Sequence, residues 1–261
     1  MPSLSMVCPQ TRTRFTEKVV TLLATILMII AFGTGAAPAQ STTGTELNVT
    51  YDEATGALSG FPSTLAPGIL ALKFSGGRST LGIQLVRIVG NHSPKAVSAV
   101  LQASDDAEDA DPPTWMRFIG GTLWPSPPET PRTASVKLEK GTYYWAVVTT
   151  VEGKTDPIGR FVVAGAPSKA AFSSTAKLSI TNKQITISGL KSGTNRVVWT
   201  NASKGGQTVL IKETANDDFN KIRYTSALSP GQSQTFDLDL TAGSWTFMET
   251  QSEVKTTVTV V

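Results

Sequence analysis

The sequence predicts an all-β protein made of two β-sandwich domains in tandem, preceded by an export signal. Three observations carry this prediction. Short segments rich in Val, Ile and Thr are separated by Gly, Pro and Ser turns, a pattern typical of sandwiches. The same order of turn and aromatic motifs occurs twice along the chain. The N-terminal segment has a different composition from the rest and contains the only cysteine of the sequence, Cys8.

The N-terminal segment has the three parts of a secretory signal peptide. Basic side chains precede an apolar run over residues 19–32, and Ala37-Pro38-Ala39 is a small-x-small cleavage site. The apolar run is short for a membrane span, which needs about 20 residues. We therefore predict a signal peptide over residues 1–39 and a secreted or periplasmic protein. The alternative is an uncleaved segment that attaches the chain to the membrane.

Charge and cysteine content exclude several classes of function. Cleavage after residue 39 removes three of the 23 Lys and Arg residues and one of the 20 Asp and Glu residues. The mature chain then has 20 basic and 19 acidic side chains, a net charge of about +1. Because nucleic-acid binding needs clustered basic residues, and none are clustered here, we exclude nucleic acid as a partner. A mature chain without cysteine has no disulfide and no thiolate catalysis.

Hydrophobic alternation predicts the strands. Val136-Lys137-Leu138 alternates up to a turn at Gly141, and residues 143–148 then place aromatic or aliphatic side chains on both faces of one strand. In the second half, residues 236–240 alternate between Phe or Leu and Asp, which predicts one buried and one solvated face. Further strands are predicted at residues 81–88, 208–211 and 255–261.

An internal repeat links the two halves. An L-x-x-G turn precedes a strand that ends in an aromatic residue, with six positions from Gly68 to Phe74 and six from Gly193 to Trp199. A second motif, L-x-x-G-[TS]-aromatic-x-aromatic, occurs at residues 138–145 and again at 240–247. Matching turn motifs at both ends of two segments indicate a duplication.

One helix and one linker complete the prediction. Ser93 is a suitable N-cap, Pro94 suits the first turn, and Val97, Val100 and Leu101 fall on one helical face. A linker with Gly and Pro is predicted at residues 164–168. The predicted domains span residues 45–165 and 172–261.

The first half resembles a known family. It contains, in order, the L-x-x-G turn, a strand ending in an aromatic residue, Leu85-Val86-Arg87-Ile88, the polar turn Gly90-Asn91-His92-Ser93, a short helix, Gly120-Gly121, a Pro-rich turn and Leu-x-x-Gly-Thr-Tyr. This order is similar to the cupredoxin-like domains of exported bacterial proteins, related in fold to plastocyanin and azurin. The resemblance covers residues 47–163 and, more loosely, 174–261. It implies two tandem cupredoxin-like Greek-key β-sandwich domains after the N-terminal signal peptide.

The copper site that the resemblance implies is not matched. Such a site uses two imidazoles, a thiolate and usually a weak thioether ligand. We therefore expect no metal, no cofactor and no electron transfer. His92 lies in the polar turn, away from the implied ligand positions, and is expected to be an exposed turn residue. The residues that stand at the implied positions are Leu81, Val147, Thr155 and Arg160 in the first half, and Gly206 or Gln207 and Glu249 in the second.

Catalytic arrangements have little support in the sequence. A Ser-His-Asp triad would have to use His92, which has no nucleophile motif around it. Carboxylates are dense only in an Ala-rich run that is typical of a solvated loop and lacks the spacing of a calcium loop. We expect a non-enzyme, and the alternative is a carboxylate-based secreted hydrolase or its accessory subunit. The acidic run comprises Asp105, Asp106, Glu108, Asp109 and Asp111.

The segment from residue 111 to 131 is the candidate binding surface. Trp115, Phe118 and Trp124 stand there among several prolines, which can hold aromatic rings as a rigid platform. The alternative is that these rings plug one end of the sandwich, as large apolar groups usually do. The sequence therefore predicts an exported binding or structural module of the cell envelope. Its partner would be an envelope protein or glycan, unless the chain is only a spacer.

Overall fold

A computed structural model describes residues 44–77, 81–106, 112–124, 131–149, 157–216, 222–251 and 254–261. These residues form one compact unit. The predicted signal peptide, Thr155 and the side chains of the acidic run lie outside the described part. No helix in the described part is both long enough and apolar enough to cross a membrane.

The described residues of the first half form nine strands and one helix, α1, at Pro94–Asp106. The strands are β1 Thr45–Asp52, β2 Ala57–Ser59, β3 Thr64–Leu65, β4 Gly68–Gly76, β5 Leu81–Ile88, β6 Met116–Gly121, β7 Arg132–Leu138, β8 Gly141–Thr149 and β9 Ile158–Val163. They form two layers, in the order β2-β1-β4-β7 and β3-β9-β8-β5-β6.

In the second half, the part of the chain that the structure describes forms eight strands. They are β10 Ala176–Ile180, β11 Ile185–Ser188, β12 Gly193–Asn201, β13 Val209–Glu213, β14 Arg223–Tyr224, β15 Ser233–Leu240, β16 Gly243–Glu249 and β17 Lys255–Val260. Their layers have the order β11-β10-β12-β15 and β14-β13-β16-β17. This is the order of the first half without β3, so the all-β fold with two tandem sandwiches is confirmed.

The two sandwiches share one continuous sheet. Strands β7 and β15 pair antiparallel, with Ala134 opposite Phe236 and Val136 opposite Gln234. This pairing joins the first layer of each half into an eight-stranded sheet, in the order β11-β10-β12-β15-β7-β4-β1-β2. Because one sheet crosses from the first half to the second, backbone hydrogen bonds fix how the two halves are placed relative to each other.

Each half has its own apolar core between its two layers. Phe74 and Phe161 belong to the first core, and Trp199 and Phe247 belong to the second. Leu123 follows β6 in the first half but is buried in the core of the second. One half therefore supplies a side chain to the core of the other, and burial of apolar surface, at about 25 cal/mol per Å², stabilises their contact.

Helix α1 covers the outer face of the first half. Its start is capped as predicted, since the Ala96 N–H donates to Ser93 Oγ at 3.2 Å. Val97 is fully buried against Val86 and Tyr144, which belong to a third apolar cluster. Strand β8 is consequently buried on both faces, because Tyr143 points into the core and Tyr144 lies in the cluster with the helix.

The second repeat motif makes the same hydrogen bond in both halves. Tyr143 donates its hydroxyl to the Glu139 carbonyl at 2.8 Å. Trp245, at the equivalent position, donates Nε1–H to the Thr241 carbonyl at 3.0 Å. Both bonds reach back four residues across the turn that begins each aromatic strand, so an aromatic residue with a polar donor fixes this turn in each half.

The segment at residues 164–168 lies along the first half. The Ala164 N–H donates to the Leu65 carbonyl at 2.9 Å, and the Ser168 N–H donates to the Pro67 carbonyl at 2.8 Å. The hydroxyl of Ser168 also fills the space where a side chain on Gly68 would stand. The chain is therefore attached to the β3–β4 turn before it enters the second half.

Candidate functional site

The surface between the two halves is a buried polar seam. We define the seam as strands β5 and β6 of the first half together with residues 222–229 of the second. At its centre lies Gln84, whose side chain is buried in β5. The Ala227 N–H donates to Gln84 Oε1 at 2.8 Å, and Gln84 Nε2 donates to the Leu85 carbonyl at 2.9 Å. A buried amide with partners on both sides joins the halves in one register.

Serine side chains extend the seam on either side of Gln84. Ser226 Oγ lies 3.0 Å from the Ile83 carbonyl of β5 and 2.9 Å from the Thr122 carbonyl just after β6, and its one hydroxyl hydrogen can donate to either. Ser229 Oγ accepts from the Phe118 N–H at 2.9 Å, and the Ser229 N–H returns a bond to the Phe118 carbonyl at 2.9 Å. The outer edge of β6 is therefore occupied by the second half.

Trp124 lies at one end of the seam. Its backbone exchanges two hydrogen bonds with Tyr224, and the two rings stack with centroids 6.3 Å apart and planes at 21°. Gly82 lies under the indole, since a Cβ at Gly82 would stand 2.9 Å from Trp124 Cε3. Burial raises the pKa of the Tyr224 hydroxyl. Trp124 is half-buried, and its ring closes the seam between the halves.

Trp115 lies at the other end of the β5–β6 pair, near the start of α1. Its indole stacks on His92 with centroids 3.9 Å apart and planes at 11°. The Trp115 carbonyl accepts from the Val89 N–H at 2.8 Å, and the Tyr144 hydroxyl donates to the His92 carbonyl at 3.1 Å. We call this stacked pair with Val89 the Trp115 corner. Its indole is fixed by these contacts and half-buried, and Val89 beside it is 53% exposed.

The three aromatic residues predicted as a binding platform do not occupy one surface. Phe118 is buried, with 7% of its surface exposed, in the cluster under α1. Trp115 packs against the same cluster from outside. Strand pairing places Met116 opposite Ile88 and Gly121 opposite Gln84, so Trp124, over Gly82, lies at the far end of these strands. Trp115 is therefore the one of the three that is only half-buried and also lies outside the seam.

None of the described positions implied for copper ligands carries an imidazole, a thiolate or a thioether. Leu81 and Val147 are buried in the first core, and Arg160 is exposed on β9. Glu249 is 1% exposed and accepts from the Gln251 N–H at 2.8 Å. Within the described residues, no three His, Cys, Asp or Glu side chains come together as a metal site. Copper needs imidazole, thiolate or thioether donors, so these residues do not fit it.

Two features of the site escaped sequence reasoning. Gln84 gave a signal, because it is the one uncharged polar side chain within the run Leu81–Ile88. A polar group in a buried strand indicates a partner, but not its position in the sequence. Tyr224 gave none, since its role depends on strand β14 lying beside Trp124. The hydrolase hypothesis relies on the acidic run, whose side chains lie outside the described part.

Comparison with known proteins adds fold neighbours at low identity. No family model matches the chain, and no curated protein matches its sequence. A multicopper oxidase is 11% identical with a TM-score of 0.27, covering 83% of this chain and 88% of that chain. The blue copper oxidase from Nitrosomonas europaea is 13% identical with a TM-score of 0.23, covering 84% and 86%.

A copper-containing nitrite reductase from Thermus scotoductus is 9% identical with a TM-score of 0.23 and covers 83% of this chain. The present chain spans 61% of the length of that reductase.

Proposed function

We propose that the mature chain is an exported, non-catalytic binding module of the cell envelope, with a cupredoxin-like fold but no copper centre. The Trp115 corner is the binding surface in this proposal. The observation that carries it is the stack of Trp115 on His92, which fixes a half-buried indole at the surface of a rigid scaffold, beside the exposed Val89. A ring that is already ordered loses little conformational entropy on binding.

Two further features support the proposal. The fold is held together without metal ligands at the positions where the resemblance implies them, since Leu81 and Val147 pack into the core there. The seam fixes the two halves as one body, so the Trp115 corner has a defined orientation on a two-sandwich support. Aromatic rings that combine an apolar face with a polar edge suit contacts with a glycan or a protein.

The test is co-sedimentation of the mature protein, residues 40–261, with the envelope fraction of the source organism. We expect saturable binding that Trp115→Ala weakens about tenfold or more, in the range that interface tryptophans contribute. Trp145→Ala is the matched control, because Trp145 is also half-buried but stacks on Phe61 elsewhere in the first half. Equal binding by both variants, with both folded, would contradict the placement of the surface.

The partner class follows from the same assay. Treatment of the envelope fraction with protease removes a protein partner, and treatment with glycan-degrading enzymes removes a glycan partner. No binding by the parent protein to any envelope preparation would refute the envelope module.

A separate measurement of bound copper tests the proposed absence of a copper centre. After incubation with Cu²⁺ and dialysis, we expect well below one copper per chain by elemental analysis and no intense thiolate-to-copper absorption. The physical reason is the donor set, which has no thiolate in residues 40–261. One tightly bound copper per chain would overturn it.

A further inference from the structure

The C-terminal strand β17 lies at the edge of the second layer of the second half. The Glu249 N–H donates to the Val254 carbonyl at 2.9 Å, which fixes the alternation of hydrogen bonds between β16 and β17. By that alternation, Thr256, Val258 and Val260 bond to β16. The backbone N–H and C=O groups of the alternate residues, Lys255, Thr257 and Thr259, therefore point away from the sheet.

The equivalent edge of the first half is covered. Strand β9 occupies the place of β17, because Gly141 pairs with Val163 as Gly243 pairs with Val260. Strand β3 runs parallel along its outer edge. There the Val162 N–H donates to the Ser63 carbonyl at 2.9 Å, and the Ala164 N–H donates to the Leu65 carbonyl at 2.9 Å.

The second half has no counterpart of β3 among the described residues. Only the far end of the strand is tied down, where the Val261 carbonyl accepts from the Ser192 N–H at 3.0 Å. Along the rest of β17, no described strand pairs with its outer edge. Natural proteins protect such edges with proline, bulges or charges. Strand β17 has one lysine at its start and otherwise only Thr and Val.

We propose that two copies of the chain pair through β17, antiparallel and about a two-fold axis at Thr257. In this register Thr257 lies opposite the partner's Thr257, and Lys255 lies opposite the partner's Thr259. All of these residues have outward-pointing backbone groups, so the hydrogen bonds of the two strands match. All three are exposed on one face of the sheet, as residues directly opposite each other in a pair must be.

The sequence of β17 favours its own copy as the partner. The two-fold register separates the two Lys255 side chains and brings no like charges face to face, and it pairs β-branched Thr with Thr, which stabilises sheets. The chain already uses this form of association internally, since β7 and β15 join the two halves as an antiparallel edge-to-edge pair. The dimer would extend the layer β14-β13-β16-β17 in the same way.

The first test is analytical ultracentrifugation of residues 40–261 over a concentration series. We expect a reversible monomer–dimer equilibrium. Thr257→Pro removes one outward N–H, which proline tolerates at a sheet edge, and should weaken the dimer at least about tenfold. Thr257→Val is the matched control, because it keeps the N–H and loses the same hydroxyl contact with Thr246. It should dimerise like the parent chain.

The second test addresses the register. Thr259→Glu places a carboxylate opposite the partner's Lys255 at two symmetric positions and should tighten the dimer roughly fivefold at low salt. Adding Lys255→Glu to that variant places like charges opposite each other and should weaken the dimer below the parent.

Two outcomes overturn the proposal. One is a chain that stays monomeric at all concentrations up to about the millimolar range, where weak pairs still associate. The other is a dimer that keeps its affinity in Thr257→Pro while circular dichroism shows the variant folded, since the contact would then lie elsewhere.

Discussion

The two sandwiches have the same eight strands in the same order, yet they differ in what surrounds those strands. The first half adds β3 along one edge and α1 over one face. The second half adds neither among the described residues. The additions decide which surfaces remain open: the first half has a covered edge and an aromatic corner, and the second has an exposed C-terminal edge. Two sandwiches with the same strand order therefore present different surfaces because of short additional elements, while their core positions stay equivalent.

Equivalent core positions carry different side chains, and different polar groups lie beside them. Phe74 and Trp199 occupy the same place in the repeat, and both are fully buried. The guanidinium of Arg132 lies 4.5 Å from the ring centre of Phe74. In the second half, Gln234 stands in the place of Arg132, opposite Trp199 in the strand pairing. Gln234 Oε1 accepts from the Gly121 N–H of the first half at 2.7 Å, so the equivalent position contacts a ring in the first half and joins the two halves in the second.

The largest expected effect comes from emptying either of these core positions. Trp199→Ala and Phe74→Ala should each lower the free energy of unfolding by about 3–5 kcal/mol, because each leaves a large cavity. Since the halves share a sheet and Leu123 crosses into the second core, either change should shift one single unfolding transition. Urea unfolding measures the change in the free energy of unfolding, and calorimetry shows whether there is a single transition.

The control for this comparison is Lys177→Ala, an exposed change in the same sheet, which should cost less than about 0.5 kcal/mol. Two separate transitions, with only one of them shifted by Trp199→Ala, would show that the halves unfold independently. That result would contradict the seam as a strong coupling between them.

A smaller effect is expected from the seam itself. Gln84→Leu keeps the side-chain volume but leaves the Ala227 N–H buried without its acceptor, at a cost of about 1–3 kcal/mol. Gln184→Leu is the matched control, because Gln184 is exposed at a turn of the second half. The free energies of unfolding from urea titrations decide the comparison, and equal costs for the two variants would mean that Gln84 does not hold the halves together.

The sequence predicted the elements better than their association. Strand β5 begins and ends where the apolar run predicted, and helix α1 begins at the proline after the predicted cap, Ser93. Hydrophobic period and capping chemistry are local, so they can be read from neighbouring residues. The pairing of β7 with β15 joins residues about 100 positions apart, and edge pairing has no local signature.

The candidate site was predictable only in part for the same reason. The aromatic residues of the 111–131 segment were visible, but their exposure depends on partners elsewhere in the chain. His92 lies across from Trp115, Ser229 bonds to Phe118, and Tyr224 covers Trp124. The exposed edge of β17 is apparent from comparison with β9, whose outer edge is covered by β3. No local residue pattern indicates that the second half lacks such a strand.

The smallest expected effect is a difference between the two halves in how their stability depends on pH. Tyr143 and Trp245 make the same hydrogen bond, but only tyrosine titrates. Burial raises the pKa of Tyr143, against smaller lowering effects from the Glu139 backbone and the Arg87 charge. The unfolded hydroxyl ionises first, near pH 10. Stability from this group is therefore complete below about pH 10 and is lost as the pH rises through the raised folded pKa.

Tyr143→Phe should then cost about 1 kcal/mol near pH 8, where it loses its hydrogen bonds to Glu139. Its stability should fall less steeply than that of the parent between about pH 9 and pH 11, because one coupled ionisation is gone. Trp245→Phe, the matched change in the second half, loses its bond to Thr241 without losing a titrating group. Its cost should be the same at both ends of that range. An alkaline slope unchanged in Tyr143→Phe would mean that the Tyr143 hydroxyl ionises alike in the folded and unfolded chain.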